Sequence, residues 1–376
     1  MTRNRWINRL SRIGAMLAVV SAGLMFANAA SAQDLSPAAQ AAKAVAESYM
    51  TSEVTWQGPE TAPAPKAGSR IAIVSCCQAA EGAARAARTM VEFGDKIGWK
   101  MDVMDGRGDP QEQNKAVNAA VDAGYDGIIL VFVDTPVVSE GVKRALDAGI
   151  KVITLGSLKN TPDTIPDVSW DYAKTGEAIA NYMIWKSNGK VNSFILLNTD
   201  LYVVRNGQFA GTEAVLSDPA KCPECKMTVA EWSLANIDSQ PASLAGAAIQ
   251  ADPTINWVWC FDACMSRVGR SLSASGFTTN DVRGGGFDCH AENLNMIAAG
   301  TIQAACAGDP RDWVALATMD NLNRMLNDQP VAEQGIPIRM FDASNLDQMS
   351  EEEKQHGWQG GYDFRSKYLE LWGVAK

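Results

Sequence analysis

The chain has 376 residues, of which 47% are hydrophobic and 20% charged, with a formal net charge of −10. This acidic balance argues against nucleic acid or an anionic membrane surface as a partner. Only two histidines are present, His290 and His356, which leaves little material for histidine-based metal or triad chemistry. The length is sufficient for two domains, each with its own core.

Residues 1–32 have the pattern of a secretory signal peptide. Four arginines precede the apolar stretch IGAMLAVVSAGLMFANA, and Ala30-Ser31-Ala32 fits the small-residue pattern before a cleavage site. Cleavage there takes the net charge from −10 to −14, because four arginines and no acids are removed. The apolar run is short for a membrane anchor. The sequence therefore predicts a soluble protein exported to the periplasm.

Residues 33–68 are predicted to be an N-terminal extension. Residues 35–50 have an alanine-rich, weakly amphipathic helical pattern, and the stretch GPETAPAPKAG after them is a proline-rich connector.

From Arg70 onward, apolar runs alternate with helical patterns. The runs RIAIVS, WKMDVM, GIILVFV and KVITL predict strands, with helices near 79–97, 111–124 and 136–148. After the loop TPDTIPDVSWD, further strands are predicted at VNSFILL, KMTVAEW, NWVWCF, RGGGFD and IQAAC, with helices near 171–187, 237–250 and 312–327. Such alternation is typical of doubly wound parallel sheets. Two successive units of similar size predict an α/β protein with two lobes and a cleft between them.

Several stretches together resemble one family, the type I periplasmic solute-binding proteins of ATP-driven importers, in the branch of ribose-, galactose- and allose-binding proteins. These stretches are GYDGIILVFVDTPVVSEGVKRALDAGIKVITLGS, VSWDYAKTGEAIANYM, RNGQFAG, INWVWCFDACMS and GGGFD. The resemblance implies lobes joined by a three-crossing hinge, with crossings near 169–171, 307–309 and 340–343. It assigns residues 69–169 plus 309–340 to the N-lobe and residues 170–308 plus 341–376 to the C-lobe.

The same resemblance implies a function. The chain is expected to capture a sugar or sugar-like polyol by hinge closure and to deliver it to the membrane subunits of an ABC permease, as a monomer without a cofactor. Two alternatives stay open: a periplasmic sensor that delivers its ligand to a receptor, and a binder of a cationic or aromatic small molecule. An enzyme is not expected, because no histidine lies in a setting that would activate a nucleophile, and neither a phosphate loop nor a GxGxxG motif after the first strand is found.

The ligand is expected beyond the carboxyl ends of the strands, where doubly wound sheets bind. Matching to the family places Arg205, Asp262 and Asp288 at ligand positions, and carboxylates with an arginine suit a polyol because charge-assisted hydrogen bonds are strong. The full set of candidate ligand-binding residues is Cys76, Cys77, Gln78, Asp134, Ser157, Asp171, Tyr202, Arg205, Asp262 and Asp288.

Some of these residues have simpler interpretations. Asp134 and Asp171 suit helix N-caps, and Arg205 suits a surface ion pair. Trp170, Tyr202 and Trp259 are candidate stacking partners, although most of the eleven tryptophans are expected in the core. The segment LGS stands where ribose binders have LDR, and Gly308 stands where a glutamine is expected, so ribose itself is not the expected ligand.

Eight cysteines in an exported chain favour disulfides. Cys222 with Cys225, and Cys289 with Cys306, are predicted to pair, and no bridge between the lobes is expected because the cleft must open. The adjacent Cys76 and Cys77 are left with two interpretations: unpaired small hydrophobic residues, or a strained vicinal disulfide.

Overall fold

The computed structural model describes residues 35–51, 53–158 and 165–374, so the predicted signal peptide lies outside the described residues. The described chain begins with the helix α1 (Pro37–Ser48), whose N-cap Ser36 accepts a hydrogen bond from the Ala39 backbone. No helix in the described ranges combines the length and apolar character that crossing a membrane requires.

The first lobe is built on a five-stranded parallel sheet of order β2-β1-β3-β4-β5. The central strand β3 is buried at every position, as expected for a parallel strand with helices on both faces. The strands are β1 (Arg70–Ser75), β2 (Lys100–Asp105), β3 (Gly127–Val131), β4 (Lys151–Leu155) and β5 (Asp167–Val168), and the intervening helices are α2 (Glu81–Lys96), α3 (Pro110–Asp122) and α4 (Ser139–Asp147).

The second lobe has a six-stranded sheet of order β11-β10-β9-β8-β6-β7, parallel except for the edge strand β11. Its strands are β6 (Asn192–Asn198), β7 (Lys226–Trp232), β8 (Trp257–Trp259), β9 (Arg283–Asp288), β10 (Gln303–Gly308) and β11 (Arg339–Asp342). Its helices are α5 (Tyr172–Lys186), α6 (Ala210–Leu216), α7 (Gln240–Ala251), α8 (Asp262–Ala274) and α9 (Ala291–Ala298). The prediction of two doubly wound α/β lobes is confirmed.

The chain returns to the first lobe after β10. The long helix α10 (Arg311–Leu326) packs against α2 and β4, whereas α11 (Glu351–His356) packs against α9. The last helix, α12 (Phe364–Leu371), contacts α10. The structure therefore differs from the assignment of all residues 341–376 to the second lobe.

The acids of α10 explain why α12 lies there. Asp320 is fully buried and accepts a hydrogen bond of 3.1 Å from Trp372 Nε1, and Asp312 accepts one of 2.6 Å from Arg365. Buried carboxylates need such donors. The C-terminal segment supplies them.

The N-terminal segment contacts both lobes. On the second lobe, α1 packs against α5, and the Met340 backbone N–H donates to Tyr49 O at 2.8 Å. On the first lobe, Trp56 stacks on Trp313 with 5.5 Å between ring centres, and Asn323 donates to Pro63 O at 2.7 Å. Residues 33–68 therefore form a strap across the two lobes in their described part. The other crossings lie near 169–171, 309–310 and 327–338, so the last one precedes β11 instead of lying at 340–343 as expected.

Three disulfides lie within the described residues, all on the second lobe. They are Cys222–Cys225 and Cys289–Cys306, the two pairs expected from the sequence, and Cys260–Cys264. None of these bonds joins the lobes, so none opposes opening of the cleft.

Candidate functional site

A group of aromatic and charged side chains lies where the two lobes meet, and we call it the inter-lobe site. The first sheet contributes Phe132, which directly follows β3, and the crossing from β5 to α5 contributes Trp170 and Tyr172. The second sheet contributes Asp288 from the end of β9, and the crossing from β10 to α10 contributes Asp309 and Arg311. All of these positions are at or just beyond the carboxyl ends of strands, where doubly wound sheets hold ligands.

Arg311 is the centre of the site. Its Nη2 lies 3.1 Å from Asp309 Oδ2 and 3.5 Å from Asp288 Oδ1. Its Cζ lies 4.5 Å from the Trp170 ring centre and 4.8 Å from the Phe132 ring centre, both within cation–π range. Arg311 belongs to the first lobe and Asp288 to the second, so their ion pair spans the cleft.

Backbone conformation positions two of these side chains. Phe132 and Asp288 have φ of +52° and +81°, in the left-handed region that non-glycine residues rarely adopt. Such conformations cost about 1–3 kcal/mol each and are concentrated at functional sites. Gly156, after β4, makes room for Phe132, because a Cβ at Gly156 would lie 2.3 Å from the Phe132 ring.

Burial dominates the electrostatics of the site. It raises the pKa of Asp309 to about 7, against the opposing effect of the Arg311 charge. Burial acts to lower the pKa of Arg311, but the neighbouring carboxylates of Asp309 and Asp288 raise it overall. Burial also lowers the pKa of His290, whose Nε2 is 3.9 Å from Asp288 Oδ2, so this imidazole is neutral near pH 7.

Several buried polar atoms of the site have no hydrogen-bond partner among the described residues. They are Tyr172 Oη, Asp309 Oδ1 and Arg311 Nε. Leaving a buried donor or acceptor unsatisfied costs about 1–3 kcal/mol. Together they offer a donor, an acceptor and a hydroxyl that serves as either, beside two aromatic faces, which is the complement of a small molecule with several hydroxyl groups.

Two of the predicted ligand residues, Asp288 and Asp262, lie on the second lobe, but only Asp288 is part of the inter-lobe site. Asp262 is fully buried behind it, where it accepts hydrogen bonds from Gln303 Nε2 at 2.9 Å and from the His290 backbone at 3.0 Å. Burial raises the pKa of Asp262 well above its usual value.

The structure does not bring Arg205 or Tyr202 to Asp288. Arg205 is exposed at the start of a π-helical turn (Val204–Phe209) and forms an ion pair with Glu231 on β7. Tyr202 is also exposed. The simpler interpretation, a surface ion pair, is therefore the state that the structure records for Arg205.

Four further predicted ligand residues lie near the first sheet; one of them caps a helix, and the other three are partly or fully buried. Asp171 is exposed and caps α5 by accepting from the Lys174 backbone at 3.0 Å. Ser157 is buried, with its Oγ donating to Val133 O at 3.3 Å. Asp134 is half-buried and precedes the turn Thr135–Val138. Gln78 is half-buried, and its Nε2 is buried without a described partner.

Cys76 and Cys77 are free thiols in the structure, with 3.1 Å between their Sγ atoms. Cys76 is buried and Cys77 half-buried, at the carboxyl end of β1.

Sequence reasoning missed Asp309, Arg311, Tyr172 and Phe132 as site residues, and named Trp170 only as a candidate stacking partner. Asp309 and Arg311 follow β10 directly, so the rule that ligands bind beyond strand ends points to them.

Two sheets of this topology, with a polar site at the facing ends of their strands, define the class of two-lobed binding proteins. Residues 71–330 match the model of the periplasmic binding protein domain family. The chain belongs to that family, as the sequence predicted, and membership of a family of binding proteins agrees with the prediction that it is not an enzyme.

Solved structures share the fold. An ABC sugar transporter subunit from Rhodobacter sphaeroides 2.4.1 aligns with a TM-score of 0.67 and 19% identity, over 74% of this chain and 99% of its own. A Caulobacter myo-inositol binding protein, solved with myo-inositol, aligns with a TM-score of 0.68 and 16% identity, over 77% and 98%. An Actinobacillus succinogenes 130z solute-binding protein, solved with D-allose, gives 0.65 and 17%, over 75% and 100%. A comparison with curated protein sequences finds no match.

Proposed function

We propose that the protein is the periplasmic substrate-binding component of an ABC transporter and captures a neutral sugar or polyol in the inter-lobe site. The observation that carries the proposal is the set of buried polar atoms of Tyr172, Asp309 and Arg311 that have no described hydrogen-bond partner, in a site where Arg311 also contacts two aromatic rings. Family membership and the sugar- and polyol-bound structures of similar fold support the same class of ligand.

In the proposed complex the carboxylates of Asp288 and Asp309 accept hydrogen bonds from ligand hydroxyls, and Arg311 Nε donates to a ligand oxygen. The rings of Trp170 and Phe132 hold the Arg311 guanidinium by cation–π contacts and so help to fix the position of its Nε donor.

Closure follows from the distribution of these groups. Phe132 and Arg311 belong to the first lobe and Asp288 to the second. A ligand that contacts both lobes binds the closed state better than the open state, and this difference in affinity shifts the population toward closure. The closed protein then presents its ligand to the permease.

Export, periplasmic location, a monomeric state and an ABC permease as partner belong to the same proposal. The pattern of residues 1–32 supports export, the family to which the chain belongs supports the periplasmic location, and an ABC transporter subunit of similar fold supports a permease as partner.

Calorimetric titration with myo-inositol and with D-allose tests the proposal, together with mass spectrometry of any ligand that co-purifies. Asp288→Ala should weaken binding by about thirtyfold or more, because removing one partner of a buried charged hydrogen bond costs about 2–5 kcal/mol. Asp122→Ala is the matched control, since Asp122 is an exposed acid of α3 that pairs with Arg144. Equal affinity of Asp288→Ala and the parent for the co-purifying ligand would show that the ligand binds elsewhere.

A further inference from the structure

Arg311 occupies a cage of a kind that recognises planar organic cations. The guanidinium group has an aromatic ring within 4.8 Å on two sides and carboxylates at 3.1 Å and 3.5 Å. Arg311 as a whole is only 5% exposed to solvent. Stacking on aromatic faces and pairing with carboxylates are the two interactions that favour guanidinium over other cations.

The charge of the site depends on this one side chain. Asp288 and Asp309 bring up to two negative charges, and within the described ranges Arg311 is the only arginine or lysine that forms an ion pair with either of them. The nearby Arg85 donates hydrogen bonds of 2.8 Å and 3.0 Å to Asp312. His290 supplies no positive charge near pH 7, because burial lowers its pKa.

We propose that Arg311 determines the charge class of the ligand: with Arg311 in place the site takes a neutral, hydroxyl-rich molecule, and without it the same cage takes a planar organic cation. This inference rests on the proposed function, because it takes the inter-lobe site as the ligand site. Arg311 is thus a specificity-determining residue that acts against amines and guanidines. A free cation is excluded because its place and its counter-charges are already taken.

The first experiment supplies guanidinium ion to Arg311→Ala and follows the melting temperature. At roughly 20 mM guanidinium chloride, the melting temperature of the variant should rise by about 2 °C over the same concentration of sodium chloride, because a ligand that binds only the folded state stabilises it. The parent should show no rise. The rise should be lost in the double variant Arg311→Ala/Asp288→Asn, which removes the other carboxylate beside the guanidinium site.

Arg144→Ala is the matched control, because Arg144 is exposed on α4 and pairs with Asp122. No rise in this variant is expected. The proposal is overturned if Arg311→Ala does not respond to guanidinium, or if Arg144→Ala responds equally.

The second experiment measures selectivity by calorimetry with myo-inositol, D-allose and the amino-deoxy derivative of each. The parent should prefer the neutral compound that it binds by at least about tenfold over its amine. Arg311→Gln, which keeps a planar polar group and removes the charge, should lose or reverse that preference. Arg311→Ser, which also leaves the space of the guanidinium group empty, takes the place of Arg311→Ala in the guanidinium titration if the alanine variant does not fold. A parent that binds the amine as tightly as the neutral compound overturns the proposal.

The two proposals fail in different ways. If guanidinium stabilises Arg311→Ala but the parent releases no ligand and binds no sugar or polyol, then the cage is real and the proposed function is wrong. If the parent binds a polyol through Asp288 but guanidinium has no effect on the variants, then the function stands and the assignment of charge selectivity to Arg311 is wrong.

Discussion

Asp309→Asn should remove a pH-dependent part of the free energy of unfolding. Burial raises the pKa of Asp309 from 3.8 to about 7 in the folded protein. Between these two values the folded state holds a proton that the unfolded state has released, so stability falls as the pH rises. The contribution is fully present below pH 3.8 and is lost as the pH passes 7.

The expected magnitude follows from the size of the shift. Each pH unit between the two pKa values changes the free energy of unfolding by about 1.4 kcal/mol. Between pH 5 and pH 7 the parent should therefore lose roughly 2 kcal/mol relative to Asp309→Asn, which has no carboxyl group to titrate.

Urea unfolding of both proteins at half-unit steps from pH 5 to pH 8 measures this difference. His290 gives the opposite trend, because burial lowers its pKa, but it is present in both proteins and largely cancels in the difference. A difference that is flat across this range, or that grows in favour of the parent as the pH rises, would refute a pKa of Asp309 that burial raises to about 7.

Trp372→Phe should lower the free energy of unfolding by about 1–3 kcal/mol, because Asp320 loses a buried donor; a loss below about 0.5 kcal/mol in urea unfolding would contradict this contact. Trp56→Ala should cost roughly 2–4 kcal/mol through the lost stacking on Trp313, and an unchanged unfolding midpoint would show that the strap is not docked. Cys77 should react with iodoacetamide before Cys76, because the hydrogen bond from the Cys76 thiol lowers the pKa of Cys77 while that of Cys76 is raised; peptide mass mapping that finds Cys76 alkylated first would contradict it.

The fold was predictable because apolar runs and helical patterns alternate clearly. Strands such as β3, buried at all five positions, have the continuous apolar pattern of a doubly covered parallel strand. The antiparallel strand β11 and the position of α12 were not predicted. Both depend on long-range contacts, such as Trp372 with Asp320, that leave no periodic pattern in the sequence.

The candidate site was predictable only in outline. Asp288 is the last residue of β9, in a motif shared with the resembled family, and its carboxylate lies 3.5 Å from Arg311 of the first lobe. Arg311 has no such signal, because an arginine at the first position of a helix usually lies in solvent; the aromatic rings that enclose it come from positions 132 and 170. Arg205 is the opposite case: its motif matches a ligand position of the family, but in the structure it pairs with Glu231. The spacing of the motif does not predict that Glu231 lies beside it.

The strap formed by the N-terminal segment limits how far the lobes can separate and couples their unfolding. Met50 O accepts from Asn345 on the second lobe, and Trp56 is stacked on the first, so the chain between them spans at most roughly 20 Å when fully extended. Rotation of the lobes about the hinge cannot separate these two contacts by more than that length. Unfolding one lobe alone would remove the contacts that the strap makes with that lobe. The two lobes should therefore melt in one cooperative transition, as a single thermodynamic unit.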